Sequence, residues 1–327
     1  MKRCIQLAKT GRALAAPNPS VGCVIVSHDQ IIGEGVTSPY GGAHAEINAI
    51  KSIKDKSLLD GATLYVTLEP CCHQGKTPPC TDEIIQNGIT RVIVGCLDPN
   101  PKVSGQGIAK LKTSGISITT GVCESKCREV HKEFLTFQTK ARPYITLKWA
   151  ESSDGIMAPL KKNNASPYWI SNTYSQQLSH KLRTENQAIL VGANTVKADH
   201  PQLTARQWHG KQPKRYVLSA KGDDTNLLDN FDDLSSIDLI GPEQIDFSQN
   251  IAQQVCDYLV KHSVNSLIVE GGEQTLNTFI KAGLWDEAMV FISDQPLLDG
   301  LKSPKLCTIV TSKRAILNDT LMMYHNN

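Results

Sequence analysis

Hydrophobic and polar positions along the first 140 residues switch between two periods. Short apolar runs at 21–26, 63–68 and 91–95 have the length and β-branched content of buried strands. The stretches 45–53, 81–87 and 108–112 repeat apolar residues at helical spacing, with Ile47, Ile50 and Ile53 expected to face the core. This alternation predicts an α/β sandwich with mixed or parallel strands. The pattern breaks at Lys140-Ala141-Arg142-Pro143, where proline interrupts a helix-like stretch, 127–139, and a strand at 144–148 begins. A domain boundary is therefore placed between 141 and 142. Beyond it, strands are predicted at 188–191, 215–218, 267–269 and 287–292, and helices at 171–183, 251–261 and 275–281, with Ser171 as N-cap of the first. The Asp-rich stretch 222–236 reads as a solvated loop, and no internal repeat is present.

At 327 residues the chain is about twice the usual domain size, which agrees with two cores. With 40% hydrophobic and 20% charged residues it is of globular composition, and no apolar run approaches the ~20 residues of a bilayer span. The start, Met1-Lys2-Arg3-Cys4-Ile5, lacks the continuous apolar stretch of a secretory signal, so a cytoplasmic location is expected. Ten scattered cysteines then point to metal binding or burial rather than disulfides. Thirty-four basic against 32 acidic residues, without a basic run, disfavour a nucleic-acid partner but allow a small anion gripped by one or two arginines.

Chemistry is concentrated in His44-Ala45-Glu46, Glu69-Pro70-Cys71 and Cys80. One imidazole and two thiolates from His44, Cys71 and Cys80 supply three of the four positions of a tetrahedral zinc, and the open fourth is what metal-assisted hydrolysis requires. Glu46, beginning a helix two residues from His44, is placed to shuttle protons. Cys80 also opens a helix, after Pro78-Pro79, where the helix dipole favours a thiolate. Cys72 is the competing donor, but adjacent side chains at a strand end point apart, so Cys71 is preferred. His-x-Glu followed by Pro-Cys is the zinc nucleoside-deaminase signature, here with eight residues between the cysteines instead of two.

That spacing, the loop Glu-Pro-Cys-Cys-His-Gln-Gly-Lys-Thr-Pro-Pro-Cys and the upstream Pro17-Asn18-Pro19-Ser20-Val21-Gly22 closely resemble the pyrimidine deaminases of riboflavin biosynthesis. The resemblance implies a cytidine-deaminase-like three-layer domain in which Asn18 holds the pyrimidine or ribose. It also implies that His73 and Lys76 contact substrate, Lys76 at the phosphate. Thr37 stands where the family often has histidine.

The second half has no G-x-G-x-x-G. It does have a strand running into Glu270-Gly271-Gly272 and then a helix, an arrangement that lets backbone N–H groups approach a phosphate. Together with Tyr144-Ile145-Thr146-Leu147-Lys148-Trp149-Ala150, Ser153-Asp154-Gly155, Trp169-Ile170-Ser171, Leu182-Arg183, Thr195-Val196 and 199–206, this stretch resembles the reductase domain fused to the same deaminases. The resemblance implies a dihydrofolate-reductase-like fold that uses NADPH, with Ala150, Trp169, Thr195, Asp199, Ser219, Gly271 and Gly272 lining the cofactor site. Arg183, Leu203, Arg206 and Glu270 would hold the substrate. The chain departs from the family at Ile156, where a basic residue is common, at Ser219, where Asp is common, and in the run 295–300.

The expectation is thus a bifunctional enzyme of riboflavin biosynthesis. Residues 1–141 form a zinc deaminase of a phosphoribosyl-aminopyrimidine, and residues 142–327 an NADPH-dependent reductase of the product's ribose. A cytoplasmic homo-oligomer with a small-molecule substrate and neither nucleic-acid nor membrane partners completes it. The alternatives are an active deaminase carrying a degenerate C-terminal module, a nucleic-acid deaminase, and a zinc-stabilised interaction protein.

Overall fold

The chain separates into two units, Met1–Ala141 and Arg142–Asn327, and the computed structural model describes residues 1–74, 78–100, 104–160, 168–221, 225–234 and 236–326. In the first unit, α1 (Lys2–Thr10) and α2 (Arg12–Ala15) precede a hairpin of β1 (Gly22–Ser27) and β2 (Gln30–Val36). The remaining elements are α3 (Ala45–Ser52), β3 (Thr63–Leu68), α4 (Cys80–Gln86), β4 (Arg91–Cys96), α5 (Gln106–Thr113), β5 (Ser117–Thr119), α6 (Glu124–Val130) and α7 (Lys132–Lys140). The sheet order is β2-β1-β3-β4-β5, antiparallel from β2 to β3 and parallel from β3 to β5. Helices α3, α4 and α5 pack in succession on one face, and α1 with α6 on the other.

Glycines set how closely the helices approach. A Cβ on Gly22 would stand 1.9 Å from the Cys4 carbonyl of α1, and one on Gly35 would stand 2.1 Å from the Ala45 carbonyl of α3. The start of α3 is therefore laid directly on β2. Its core face is Ala45, Ala49 and Ile50, with Ile53 just beyond. Ile47 is not part of that face, contrary to the apolar count, because it lies about 200° round the helix from Ala45. The stretch 127–139 is two helices rather than one. They part at His131, which is buried with Nε2 3.0 Å from the Thr67 hydroxyl. Helix α1 and strand β2 had no clear sequence signal; β2 carries Gly33 and Gly35 in place of strand-forming side chains.

The second unit contains β6 (Tyr144–Glu151), β7 (Ile156–Ala158), α8 (Thr173–Glu185), β8 (Ala188–Gly192), α9 (Ala193–Asp199), β9 (Lys214–Leu218), β10 (Ile237–Ile240) and α10 (Ile251–Lys261). It continues with β11 (Ser266–Glu270), α11 (Glu273–Ala282), β12 (Glu287–Ile292), β13 (Leu301–Lys302), β14 (Val310–Ile316) and β15 (Asp319–His325). Its eight-stranded sheet runs β10-β9-β8-β11-β6-β12-β15-β14. The first six strands are parallel, β15 is antiparallel to β12, and β14 is antiparallel to β15. Leu267 and Val269 of β11 enter one core and Ile268 the other, so the sheet is covered on both faces, which explains the unbroken apolar runs.

Two expectations are corrected here. The N-cap of α8 is Asn172, whose side-chain oxygen accepts from the Tyr174 and Ser175 amides at 3.0 and 3.1 Å. Ser171 is one residue too early to reach them. Within 222–236, a 3-10 turn at Thr225–Asn230 puts Leu227 and Phe231 into the core, so this part is anchored rather than solvated. Among the described residues no helix is long and apolar enough to cross a membrane.

Candidate metal centre and cofactor cleft

His44 is the N-cap of α3, Cys71 follows β3, and Cys80 is the first residue of α4. The His44 Nδ1 atom is 3.4 Å from Cys71 Sγ and 3.3 Å from Cys80 Sγ, and all three donor atoms lie within 4.8 Å of one another. Donors bound to one tetrahedral zinc at usual bond lengths stand about 3.5 Å apart, so one nitrogen and two sulfurs here fit that ion. Cys72 is outside the cluster.

The start of α4, which Cys80 opens, serves Cys71 as well. The Cys80 amide donates to Cys71 Sγ at 3.4 Å. The hydrogen bond from the Cys80 side chain, aided by His44, pulls the Cys71 thiol down to about 4. The same bond, burial and Glu46 push the Cys80 thiol up. Glu46 is buried beside them, and desolvation followed by the Cys71 charge raises its carboxyl to about 7.

Glu69, in the same motif, braces the site from below. Its carboxylate accepts from the Gly105 amide at 3.1 Å and from the Asp98 and Ile108 amides at 3.4 Å, tying the start of α5 to the end of β3. A side chain at Gly107 would strike the Pro70 carbonyl at 2.2 Å. Asn18 is half-buried, in a loop held by the Ser20 hydroxyl on the Ala8 carbonyl and by the Val21 amide on the Thr37 hydroxyl. Thr37 is buried, with the Val21 amide as its partner. His73 is exposed and interacts electrostatically with Asp98, a buried carboxyl raised by desolvation. Lys76 lies outside the described residues.

In the second unit a cavity of about 470 Å³ opens at the C-terminal ends of β8, β9 and β11, walled by Thr195, Ser219 and Gly272 among others. A cavity of about 580 Å³ shares Thr195, Lys197, Gly272 and Leu301 with it and adds Asp199 and Gly271. Gly271 and Gly272 have φ of +114° and +37°, and a Cβ on Gly272 would press on the Thr195 hydroxyl at 3.0 Å. Only glycine fits this turn, and a bare backbone beside a cleft of that size suits a dinucleotide. Ala150 and Trp169 are not among the walls. Ala150 packs beside Phe291 and Leu321, and Trp169 is 58% exposed.

Arg183 and Glu270 form a two-pronged pair, 3.0 and 2.7 Å, and Arg183 also donates to the Thr204 carbonyl at 2.9 Å. Arg206 donates to the Thr204 hydroxyl at 2.8 Å, and the preceding Leu203 is buried with φ of +58°. Burial opposes the Glu270 charge, but Arg183 and Lys148 outweigh it and hold the carboxyl at about 2. Lys148 Nζ is 3.8 Å from Glu270, and desolvation at this half-buried position lowers its pKa. His180, one turn before Arg183, is buried with Nδ1 unpartnered among the described residues; burial and the two arginines lower it to about 4. Sequence reasoning gave Lys148 and His180 no role. The signal for Lys148 was there: Ile145, Leu147 and Trp149 share one core, so Lys148 is a charge on the opposite, covered face of a central strand. Ile156 is 5% exposed and opposes Lys302 in the β7–β13 pair, so the position of the family's basic residue is taken by packing. The run 295–300 is tied to the same turn, with the Leu297 and Leu298 amides donating to Asp154.

The family described as cytidine and deoxycytidylate deaminase zinc-binding region matches residues 1–96, and the RibD C-terminal domain matches residues 143–313. The riboflavin biosynthesis protein RibD of Aquifex aeolicus (strain VF5) is 40% identical over 319 residues, covering 92% of this chain and 88% of that protein. That of Chlamydia trachomatis serovar D is 34% identical over 354 residues, covering 99% and 92%. The crystal structure of a diaminohydroxyphosphoribosylaminopyrimidine deaminase/5-amino-6-(5-phosphoribosylamino)uracil reductase from Thermotoga maritima is similar with a TM-score of 0.88 at 33% identity, covering 100% of this chain and 97% of that one. Nothing in these matches favours a degenerate second domain. With relatives this similar along nearly the whole of both chains, the protein belongs to the RibD family of riboflavin biosynthesis, bifunctional enzymes that join a zinc-binding deaminase domain to an NADPH-dependent reductase domain.

Proposed function

We propose that residues 1–141 hydrolytically deaminate 2,5-diamino-6-(5-phosphoribosylamino)pyrimidin-4(3H)-one and that residues 142–327 reduce the ribosyl group of the product to ribityl with NADPH. The observation that carries this reading is the His44, Cys71 and Cys80 triad beside the buried carboxyl of Glu46. Zinc, when held by these three residues, lowers the pKa of water toward neutrality. Glu46 would take one proton from the attacking water and pass it to the ring nitrogen, then carry the proton of the added hydroxyl to the amino group, which leaves as ammonia while the carbonyl forms. Asn18 and His73 orient the pyrimidine and ribose, and Lys76 holds the phosphate.

In the second domain Thr195, Asp199, Ser219, Gly271 and Gly272 receive the cofactor. NADPH, when bound, supplies hydride to the opened ribose at C1′. Arg206 faces the phosphate, while Arg183 fixes the Glu270 carboxylate and Leu203 shapes the loop between them. The working assignment is a cytoplasmic homo-oligomer, and the near-neutral formal charge of +2 supports the absence of a nucleic-acid partner.

The test follows ammonia release and NADPH oxidation together, for the wild type and for Glu46→Gln. The wild type should show both signals and the variant neither. Ammonia without NADPH oxidation would overturn the second half of the proposal, and neither signal in the wild type would overturn the whole.

A further inference from the structure

Asn18 lies between α2 and β1 and follows the helix directly, its amide donating to the Ala15 carbonyl at 3.0 Å. The stretch 12–22 is held at both ends from the corner between α6 and α7. At its start Arg12, the first residue of α2, is paired with Glu133 of α7. At its end the Gly22 amide donates to the Thr67 hydroxyl at 3.1 Å, and that hydroxyl is 3.0 Å from His131 Nε2. His131 stands between Val130, which ends α6, and Lys132, which begins α7. Thr67 and His131 are 0% and 1% exposed, so bulk water does not compete for either contact.

A threonine hydroxyl has one proton and two lone pairs. The Gly22 amide occupies one lone pair and the imidazole nitrogen meets what remains, which holds the hydroxyl toward Gly22. Without the ring, a buried hydroxyl is left short of a partner and the Gly22 contact is free to shift. Thr67 is on β3, the strand that runs on into Glu69-Pro70-Cys71. The same hydroxyl therefore ties the end of the Asn18 stretch to the strand that leads to a metal donor.

We propose that His131 is a positioning residue for the deaminase: through the Thr67 hydroxyl it fixes Gly22, and so the place from which Asn18 meets the substrate. This rests on the assignment of Asn18 to the substrate. The test measures kcat and KM for ammonia release from the aminopyrimidine, together with zinc content, in the zinc-loaded full chain. The variants are His131→Leu, Thr67→Val and Asn18→Ala, with each of the first two also combined with the third. His131→Leu and Thr67→Val should each raise KM at least roughly tenfold, with kcat within about twofold and zinc retained. His131→Asn, whose amide can also meet the hydroxyl, should recover most of the loss. In the Asn18→Ala background the same two substitutions should add less than about twofold, because they act through the residue already removed. A merely structural role lowers the active fraction, and hence kcat per chain, by the same factor in both backgrounds. That result, or an unchanged KM in Thr67→Val, overturns the proposal. Asn18→Ala with the wild-type KM overturns instead the assignment of Asn18, on which the proposal stands.

Discussion

Arg183 and Glu270 are 87 residues apart in sequence and meet in a two-pronged ion pair in which neither side chain is more than 13% exposed. One comes from the last turn of α8 and the other from the end of β11, so the pair joins a helix to the sheet beside the cleft.

Glu270 is shared by Arg183 and Lys148, so the two ends of the pair are not equivalent. Glu270→Ala, which leaves two covered cations without their carboxylate, should lower stability in urea by about 3 kcal/mol, whereas Arg183→Ala, which leaves Lys148 beside Glu270, should cost distinctly less. Equal losses in the two variants would show that the pair contributes packing rather than charge.

The donor geometry distinguishes neighbouring cysteines. Cys71→Ser should lower zinc content well below one ion per chain and abolish ammonia release, while Cys72→Ser should keep the ion. Metal analysis of the two purified variants decides the matter, and loss of zinc from Cys72→Ser would place the wrong sulfur in the site.

Gly35 links a strand to the metal centre. Gly35→Ala should push α3 off β2, displace His44 and Glu46 together, and weaken zinc retention against a competing chelator by at least roughly tenfold. Unchanged zinc affinity would show that the helix absorbs the added methyl.

His131 makes the first unit sensitive to acid. Burial lowers its pKa from 6.5 to about 4, so between those values the unfolded chain binds more protons than the folded one. Its contribution to stability is complete above 6.5 and is lost as pH falls toward 4. From pH 7 to pH 5 the wild type should lose about 2 kcal/mol more than His131→Gln, read from urea midpoints. Parallel losses would show that His131 is not buried as a neutral ring.

His44-Ala45-Glu46, Glu69-Pro70-Cys71 and Cys80 were legible along the chain because ligand spacing and helix starts are local properties. The alternation of apolar runs marked most strands and helices for the same reason. The sequence by itself determined which donor types exist, in what order, and on which kinds of element they lie. Only the tertiary structure decided that the Cys80 amide supports Cys71, that Lys148 and His180 surround the Arg183 and Glu270 pair, and that Lys197 and Lys221 border one cavity. Those relationships join residues far apart along the chain, where charge, burial and cavity walls depend on which strands lie side by side. Periodicity carries no record of that.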